Sequence, residues 1–449
     1  MIKKKVIILG GGLAGLSTAW HLKQKGIKSV IFEKESSVGG LCRSKQVKGF
    51  VFDYDGHLLH FRNNYTLKLV KKLLGKNLIK HKRSAWINSF GIFSQYPFQA
   101  NLYALPKQIA SECLWGYIHA TNRRVSGAQL NFMEWINSTF GNGIARHFMV
   151  PYNQKFWTIP LNQMTCSWSD KFIPQLNLVD VVNGFFANTE KNFGYNAVFW
   201  YPEKGGIDQL PRVFEKQIGE VHKGCCVSRI DLKKKEITIN GKDRLGFDAL
   251  VATIPLPEMA KIIKPLPASL LGNFKKLRWN SIFNLNLGLE GSCQGNKHWV
   301  YFPHKGVSFF RVGFFHNFSD YLAPRGKSSL YVEVSYSKNK PINKRRIVRQ
   351  IVNDLRGAGI ISKKNRILVS DINDIKYGYP IYDQNYSSAT GLIREFLLSN
   401  NIITCGRYGW WKYMSMEDTI LDGKRTAEII RSKMPERGKL SEDLILGKT

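Results

Sequence analysis

The stretch Val6-Ile7-Ile8-Leu9-Gly10-Gly11-Gly12-Leu13-Ala14-Gly15-Leu16-Ser17-Thr18-Ala19-Trp20 decides how the chain begins to fold. Four apolar residues suited to a buried strand run into a glycine turn, and the turn opens a helix. A pyrophosphate needs backbone within hydrogen-bonding distance, so side chains at Gly10 and Gly12 would stand in the way, while Gly15 lets the helix pack closely on the strand. The helix N-terminus adds unpaired N–H groups and a partial positive charge. The next apolar run, Ser29-Val30-Ile31-Phe32, ends in Glu33, about 20 residues on, where a carboxylate can accept hydrogen bonds from a ribose. Glycine-rich turns are common, but strand, turn, helix and distal acid together predict a Rossmann-type dinucleotide site.

The residues that follow are Lys34-Glu35-Ser36-Ser37-Val38-Gly39-Gly40-Leu41-Cys42-Arg43-Ser44. A Gly-Gly pair just past the acid resembles the two-domain flavoproteins that include amine oxidases and protoporphyrinogen oxidases. The resemblance implies FAD rather than NAD, with Gly39, Gly40 and Leu41 close to the cofactor and Arg43 near its diphosphate. The residues alone are also compatible with a solvated turn that closes a βαβ unit. A flavin, once bound, carries the chemistry while the protein supplies position and electrostatics.

Composition narrows the class. A chain of 449 residues, 43% hydrophobic and 12% aromatic, buries a substantial core in two or three domains and is not generally disordered. No apolar run approaches the ~18 residues of a membrane span, and the short glycine-bearing N-terminus does not read as a signal peptide. Seven scattered cysteines without a CxxC fit reduced thiols in a cytoplasmic protein. No metal-ligand spacing occurs, so no metal is expected. The formal charge of +33 favours anionic partners. No nucleic-acid motif stands out, which leaves an anionic small-molecule substrate and a peripheral association with the inner face of a membrane; most of the excess reads as solvated surface. Oligomeric state is not legible.

The expected organisation is α/β and α+β: a discontinuous FAD-binding domain over 1–95, 201–262 and 395–449, a helical part of the substrate domain over 96–200, and its sheet part over 263–394. βαβ units are expected through about residue 80, and helices around Phe132–Phe140, Ile144–Phe148, Gln209–Gln217 and from about Asp418 to Ser432. Strands are expected at Cys226–Asp231, which puts Val227 beside the cofactor, at Glu236–Ile239 and at Phe247–Pro255, the last returning beneath the cofactor. The substrate sheet is expected from about 280 to 336.

Four further stretches resemble the UDP-galactopyranose mutase-like branch of these flavoproteins. Phe52-Asp53-Tyr54-Asp55-Gly56-His57-Leu58-Leu59-His60 is similar to the loop in which a glycine and histidines approach the flavin, which implies that Gly56, His57 and His60 are flavin-proximal. Trp86–Gly91 with Tyr96–Leu102 is similar to the start of the mutase substrate domain. Pro151–Trp157 has the placement of a segment whose tryptophan, here Trp157, contacts the uracil end of the substrate. Gly406-Arg407-Tyr408-Gly409-Trp410-Trp411-Lys412-Tyr413-Met414-Ser415-Met416-Glu417-Asp418-Thr419-Ile420 follows the family pattern into the last helix. A helix N-terminus aimed at a reduced flavin stabilises its negative charge, so Gly406, Arg407, Asp418 and Thr419 are expected at the cofactor; Met416–Thr419 also reads simply as an N-cap.

In the mutases an arginine and two tyrosines hold the substrate diphosphate, and the resemblance assigns those roles to Arg311, Tyr379 and Tyr413. Guanidinium suits phosphate through bidentate charge-assisted bonds, although Arg311 also reads as one half of a surface ion pair. The chain departs from the pattern where the mutases carry a second arginine, reading Ile173-Pro174-Gln175 instead, and Trp410-Trp411 is bulkier than the mutase pattern. The resemblance implies a redox-neutral enzyme of nucleotide-sugar and polysaccharide metabolism, with N5 of reduced FAD as nucleophile in pyranose–furanose interconversion. The alternative is an FAD-dependent amine oxidase or protoporphyrinogen oxidase-like oxidoreductase, in which Trp410-Trp411 could line a hydride-donor pocket. Convergence of Arg311, Tyr379 and Tyr413 on one pocket separates the two.

Overall fold

In the computed structural model, residues 5–433 are described apart from 123–129 and positions 190, 192, 195 and 294. Strand Val6–Leu9 lies at the centre of a five-stranded parallel sheet, between Ala249–Ala252 and Ser29–Glu33, with Ile402–Thr404 and Glu220–Lys223 at the edges. Both faces of the inner strands are covered, and so they read as continuous apolar runs, VIIL and ALVA, rather than alternating ones. Helix Leu13–Gln24 packs so tightly against helix Met416–Lys433 that a Cβ at Gly423 would lie 2.6 Å from the Ser17 hydroxyl. The strand order reverses beside Val6–Leu9, and the crevice at the carboxyl ends of such strands is where this architecture binds ligands.

Only the first βαβ unit forms as expected. Ser44–Val47 and Phe50–Asp53 are an antiparallel hairpin, turned by Lys48 and Gly49, both at positive φ (49° and 83°); two adjacent left-handed residues are the signature of a tight hairpin turn, not of a crossover. Helix Gln209–Gln217 and strand Glu236–Ile239 fall where expected. Strand Val227–Asp231 pairs with Glu236–Ile239 in a separate four-stranded sheet.

The second large sheet has seven strands in the order 367–380, 279–290, 327–336, 311–314, 299–301, 85–89 and 92–95. The hairpin 85–95 falls inside the 1–95 span given to the FAD domain, but it belongs to this sheet, in line with its likeness to the start of the mutase substrate domain, because Ala85–Ile87 pairs in parallel with Trp299–Tyr301. Strand Trp279–Glu290 is buried along almost its whole length and divides its faces with period two. Phe283, Leu285, Leu287 and Leu289 enter a core shared with helix Ile347–Gly357. Asn280, Asn284 and Asn286 point the other way: Asn286 donates to the Asp53 carbonyl (3.1 Å) and Asn280 to the Phe156 carbonyl (2.7 Å). These amides tie both the hairpin after the dinucleotide unit and the helical part to one strand, each satisfying a polar group whose burial unpaired would cost about 1–3 kcal/mol.

The helical part comprises Lys107–Asn122, Phe132–Ile144, a wide turn over Ala145–Met149, Val150–Trp157 and Leu178–Phe186. The short helix expected at Ile144–Phe148 forms as a π-helical turn over Ala145–Met149, which carries the chain directly into Val150–Trp157. Ser335 Oγ also donates to the Phe156 carbonyl (2.5 Å), and Lys155 Nζ donates to the carbonyls of Phe302, His304 and Phe309 at 3.0, 2.6 and 2.8 Å. The C-terminus of this helix is thereby fixed to the seven-stranded sheet.

Candidate active site

A single cavity of about 810 Å³ runs from the carboxyl ends of the parallel strands to the seven-stranded sheet and the helical part. At its first end Gly10, Gly12, Leu13 and Ala14 line the wall. Gly12 caps helix Leu13–Gln24 without a side-chain hydrogen bond, so the first-turn N–H groups are left for a ligand. The glycines divide by role. A Cβ at Gly15 would lie 2.1 Å from the Gly10 carbonyl oxygen, and one at Gly10 would lie 2.5 Å from Thr253 Oγ1, so both are demanded by the protein's own packing. A Cβ at Gly12 would meet nothing nearer than the Gly40 Cα at 3.9 Å. That open space is a cradle, and it fits the close approach of a pyrophosphate.

Glu33 is buried and accepts from the backbone N–H of Gly11 (2.7 Å) and Glu35 (2.9 Å), one to each oxygen. Its carboxylate is held rigidly at the cavity wall, with lone pairs left for a ribose. Val227, Cys225 and Cys226 line this same end. Gly39 and Gly40 adopt φ of 112° and 59°, and the Arg43 guanidinium is anchored by donating Nε–H to the Gly40 carbonyl (2.7 Å) while lying 4.6 Å from the Tyr54 ring. Leu41 and Arg43 both face the cavity.

At the middle of the cavity Gly56, His57 and His60 line the wall. A Cβ at Gly56 would lie 2.3 Å from the Tyr331 hydroxyl, which explains the glycine. His57 Nδ1 contacts the Asp55 carbonyl at 3.0 Å. A carbonyl only accepts, so Nδ1 carries the proton and Nε2 keeps a lone pair. Burial lowers the His57 pKa, and burial together with Arg62 pulls His60 down to about 4, so both rings are neutral at pH 7.

The third region brings Arg311, Tyr379 and Tyr413 onto one wall, with Trp157 beside them. The Tyr379 and Tyr413 rings stack at 5.4 Å, and Tyr379 meets Phe156 at 4.7 Å. Arg311 is committed twice: Nε and Nη2 both donate to the fully buried Glu333, its cross-strand neighbour, the second at 2.8 Å. Burial opposes the charge on Arg311, but the Glu333 carboxylate outweighs it and holds the guanidinium charged. Burial, with Asp55 nearby, raises the Glu333 pKa, while the Arg311 charge and its two hydrogen bonds oppose the rise.

Arg407, expected at the cofactor, lines the cavity between two tyrosines, 4.5 Å from the Tyr379 ring and 4.8 Å from the Tyr413 ring. It donates to the Gly378 carbonyl (2.9 Å), while its buried Nε has no hydrogen-bond partner among the described residues. A half-buried guanidinium with an unused donor inside a cavity is poised for an anion. Gly406 does not reach the cavity; at φ 75° it lies against Ala14, where a Cβ would approach to 2.4 Å of the Ala14 Cβ. Asp418 also stays outside. It accepts from the Ser415 N–H (2.9 Å) and returns its own N–H to Ser415 Oγ (3.1 Å), a reciprocal capping pair, and it binds Arg62 and Lys171. Thr419 does line the cavity, together with Met414, Ser415 and Met416. Trp410 and Trp411 are not part of the lining: Trp411 is fully buried among Trp279 and Tyr377, and Trp410 lies under Arg394.

The sequence reading missed Tyr152 and Phe156, which line the cavity one helical turn apart. Their i, i+4 spacing in Pro151–Trp157 is a legible signal for one helix face. It also missed strand Ile367–Pro380, which carries Tyr379 and shows alternating burial.

A Rossmann-type sheet, an uncapped helix N-terminus over a glycine cradle and a second domain closing the cavity define a dinucleotide-dependent enzyme of the two-domain flavoprotein class. The chain belongs to the flavin containing amine oxidoreductase family, whose profile matches residues 13–431. Its cofactor is FAD. Among solved structures, a reduced UDP-galactopyranose mutase superimposes with a TM-score of 0.91 over 96% of each chain at 25% identity. The zeta-carotene-forming phytoene desaturase of Myxococcus xanthus is 20% identical over 402 residues, covering 75% of this chain and 73% of that protein. The 4,4'-diaponeurosporene oxygenase of Staphylococcus haemolyticus is 38% identical over 77 residues, only 15% of its length. Among the described residues, no helix is long and apolar enough to cross a membrane.

Proposed function

We propose that the protein is a UDP-galactopyranose mutase-like enzyme that takes an anionic nucleotide sugar and interconverts its pyranose and furanose forms without net oxidation. The observation that carries this reading is the convergence of Arg407, Arg311, Tyr379 and Tyr413 on the arm of the cavity that adjoins the FAD cradle. When bound in reduced form, FAD supplies the nucleophile for the anomeric carbon. Arg407 offers its free Nε–H to the diphosphate, and the tyrosine hydroxyls add donors without a second full charge. Burial raises the Tyr379 pKa, which keeps its hydroxyl protonated as a donor. Phe156, Trp157 and Trp168 wall the arm against water, which strengthens these contacts. The neutral His57 keeps an acceptor at Nε2 for a sugar hydroxyl or a flavin N–H.

The second reading, a desaturase- or oxidase-type oxidoreductase, is supported by the aromatic lining of the arm and by the likeness to the Myxococcus desaturase. The test is to incubate FAD-loaded protein with UDP-galactose and UDP-galactofuranose under dithionite, and separately in air. Interconversion only with reduced flavin, and no electron consumed per turnover, is expected. Peroxide release on oxidation of an amine or alcohol, or desaturation of an apolar polyene, overturns the mutase reading.

A further inference from the structure

The segment from Gly56 to Ser111 contains no aspartate or glutamate, in a chain with 33 acids among 449 residues, yet it carries nine lysines and arginines. The fold gathers part of this excess on one face. Helix Asn64–Leu74 buries Leu69, Val70, Leu73 and Leu74 and exposes Lys68, Lys71 and Lys72. Strand Ile79–Lys82 exposes Lys80 and pairs it with Trp200 on the neighbouring strand. The ammonium groups of Lys71 and Lys80 lie 4.8 and 5.9 Å from the half-buried Trp200 ring. Asn77 and Lys204 then exchange hydrogen bonds of 3.1 and 2.7 Å, which brings in Lys204, itself 4.6 Å from the ring of Tyr321. Tyr321 is 52% exposed. Glu203 and Asp320 are the acids that adjoin this surface along the chain.

We propose that this lysine- and aromatic-bearing face docks on the surface of an anionic phospholipid bilayer. Charge complementarity carries the assignment: clustered basic side chains are drawn to the negative surface of such a bilayer within a Debye length, and Trp and Tyr partition to the headgroup level. The identity of the cations favours lipid over nucleic acid. The residues named above are lysines, compact hydrated point charges suited to the diffuse field of a bilayer rather than to bidentate readout of a base edge. The face also has a fixed relation to the active site, because half-buried Trp200 carries the ammonium groups of Lys71 and Lys80 over its ring while Phe199, next to it on the strand, lines the cavity. This docking does not depend on which reaction the cavity performs.

Co-sedimentation of the full FAD-loaded chain with phosphatidylglycerol vesicles tests it, with phosphatidylcholine vesicles as reference. Binding to the anionic vesicles only is expected. The variant Lys68→Glu/Lys72→Glu/Lys80→Glu should weaken binding at least tenfold while keeping its flavin absorbance. Tyr321→Ala should weaken it severalfold. The control Arg345→Glu/Arg346→Glu/Arg349→Glu makes the same charge change on another exposed basic surface and should stay within twofold of the parent. Absence of binding to anionic vesicles, an equal loss in the control, or tighter binding to double-stranded DNA or RNA than to vesicles each overturns the proposal.

Discussion

The two arms of the cavity are made of different material. The dinucleotide arm is mostly backbone: Gly10, Gly12, Gly39 and Gly40 in strained or close-approach positions, an uncapped helix end, and one carboxylate pinned by two N–H groups. The substrate arm is almost all side chains, delivered by helix Val150–Trp157, strands Arg311–Phe314 and Ile367–Pro380, and the short helix Gly406–Gly409 with the segment after it, which hold Arg407 and Tyr413. A backbone site is specified by local conformation and is therefore compact in sequence. A side-chain site depends on what else each group touches, and here two of its cations already have internal obligations.

That contrast can be broken most severely at Gly15. Its Cβ would overlap the Gly10 carbonyl at 2.1 Å, a clash between backbone segments with no flexible side chain to yield. Gly15→Ala should abolish FAD retention, read as loss of flavin absorbance in the purified protein, and lower its yield. Gly12→Ala is the partner experiment. With 3.9 Å of clearance it should fold with an unchanged Tm in the apo form and lose FAD affinity alone. If both variants keep their flavin, the cradle has been misread.

The next largest effect belongs to the substrate arm. Glu333→Ala leaves Arg311 charged and largely buried, its side chain 19% exposed, without its bidentate partner. Breaking a buried pair from one side costs about 3–5 kcal/mol, visible as a fall in the urea midpoint at unchanged slope. Glu333→Gln keeps one acceptor and should recover part of the loss. A loss below about 1 kcal/mol would show that Arg311 leans on Glu333 only weakly and is free for substrate.

Arg407 comes third. Arg407→Met keeps the stem between Tyr379 and Tyr413 but removes the donor. A hydrogen bond to a charged group is worth about 1.5–3 kcal/mol, or on the order of 10–100-fold in kcat/KM. The loss should fall on a UDP-sugar substrate and leave FAD absorbance intact. Loss of FAD with the substrate effect absent would return Arg407 to the role first read from the sequence.

The fate of individual residues shows where the sequence was legible. Gly10 to Glu33 needed only local spacing, since strand, turn and helix are contiguous and each glycine has a backbone reason. The strand Ala249–Ala252 was equally readable, because a parallel strand covered on both faces is a continuous apolar run. Arg311 was recognised as a pocket residue while its partner was not, since Glu333 lies 22 positions away and meets it only through the register of two strands. Arg407 was read for the cofactor alone for the same reason: its neighbour Gly406 belongs to the dinucleotide side, while its side chain turns toward Tyr379, delivered by a strand that the sequence reading did not identify. Asp418 stood where the helix expected at the flavin begins, and a local capping contact claimed it.

The smallest expected effect is at Trp410, and its smallness is what makes it informative. An aromatic pair on the family's last loop suggested a hydride-donor pocket, but the Trp410 ring faces Arg394 at 4.6 Å and Arg425 at 5.6 Å, away from the cavity. Trp410→Phe keeps an aromatic face and weakens a cation–π contact, a change of about 0.5–1 kcal/mol at a partly exposed site. Turnover of a UDP-sugar by the reduced enzyme should therefore stay within about twofold, since no lining group moves and the effect belongs to stability. A fall in turnover of tenfold or more at unchanged Tm would mean that the loop reorganises to place the indole against the flavin. The substrate arm would then be an aromatic slot rather than an anion clamp, and the oxidoreductase reading would displace the mutase one.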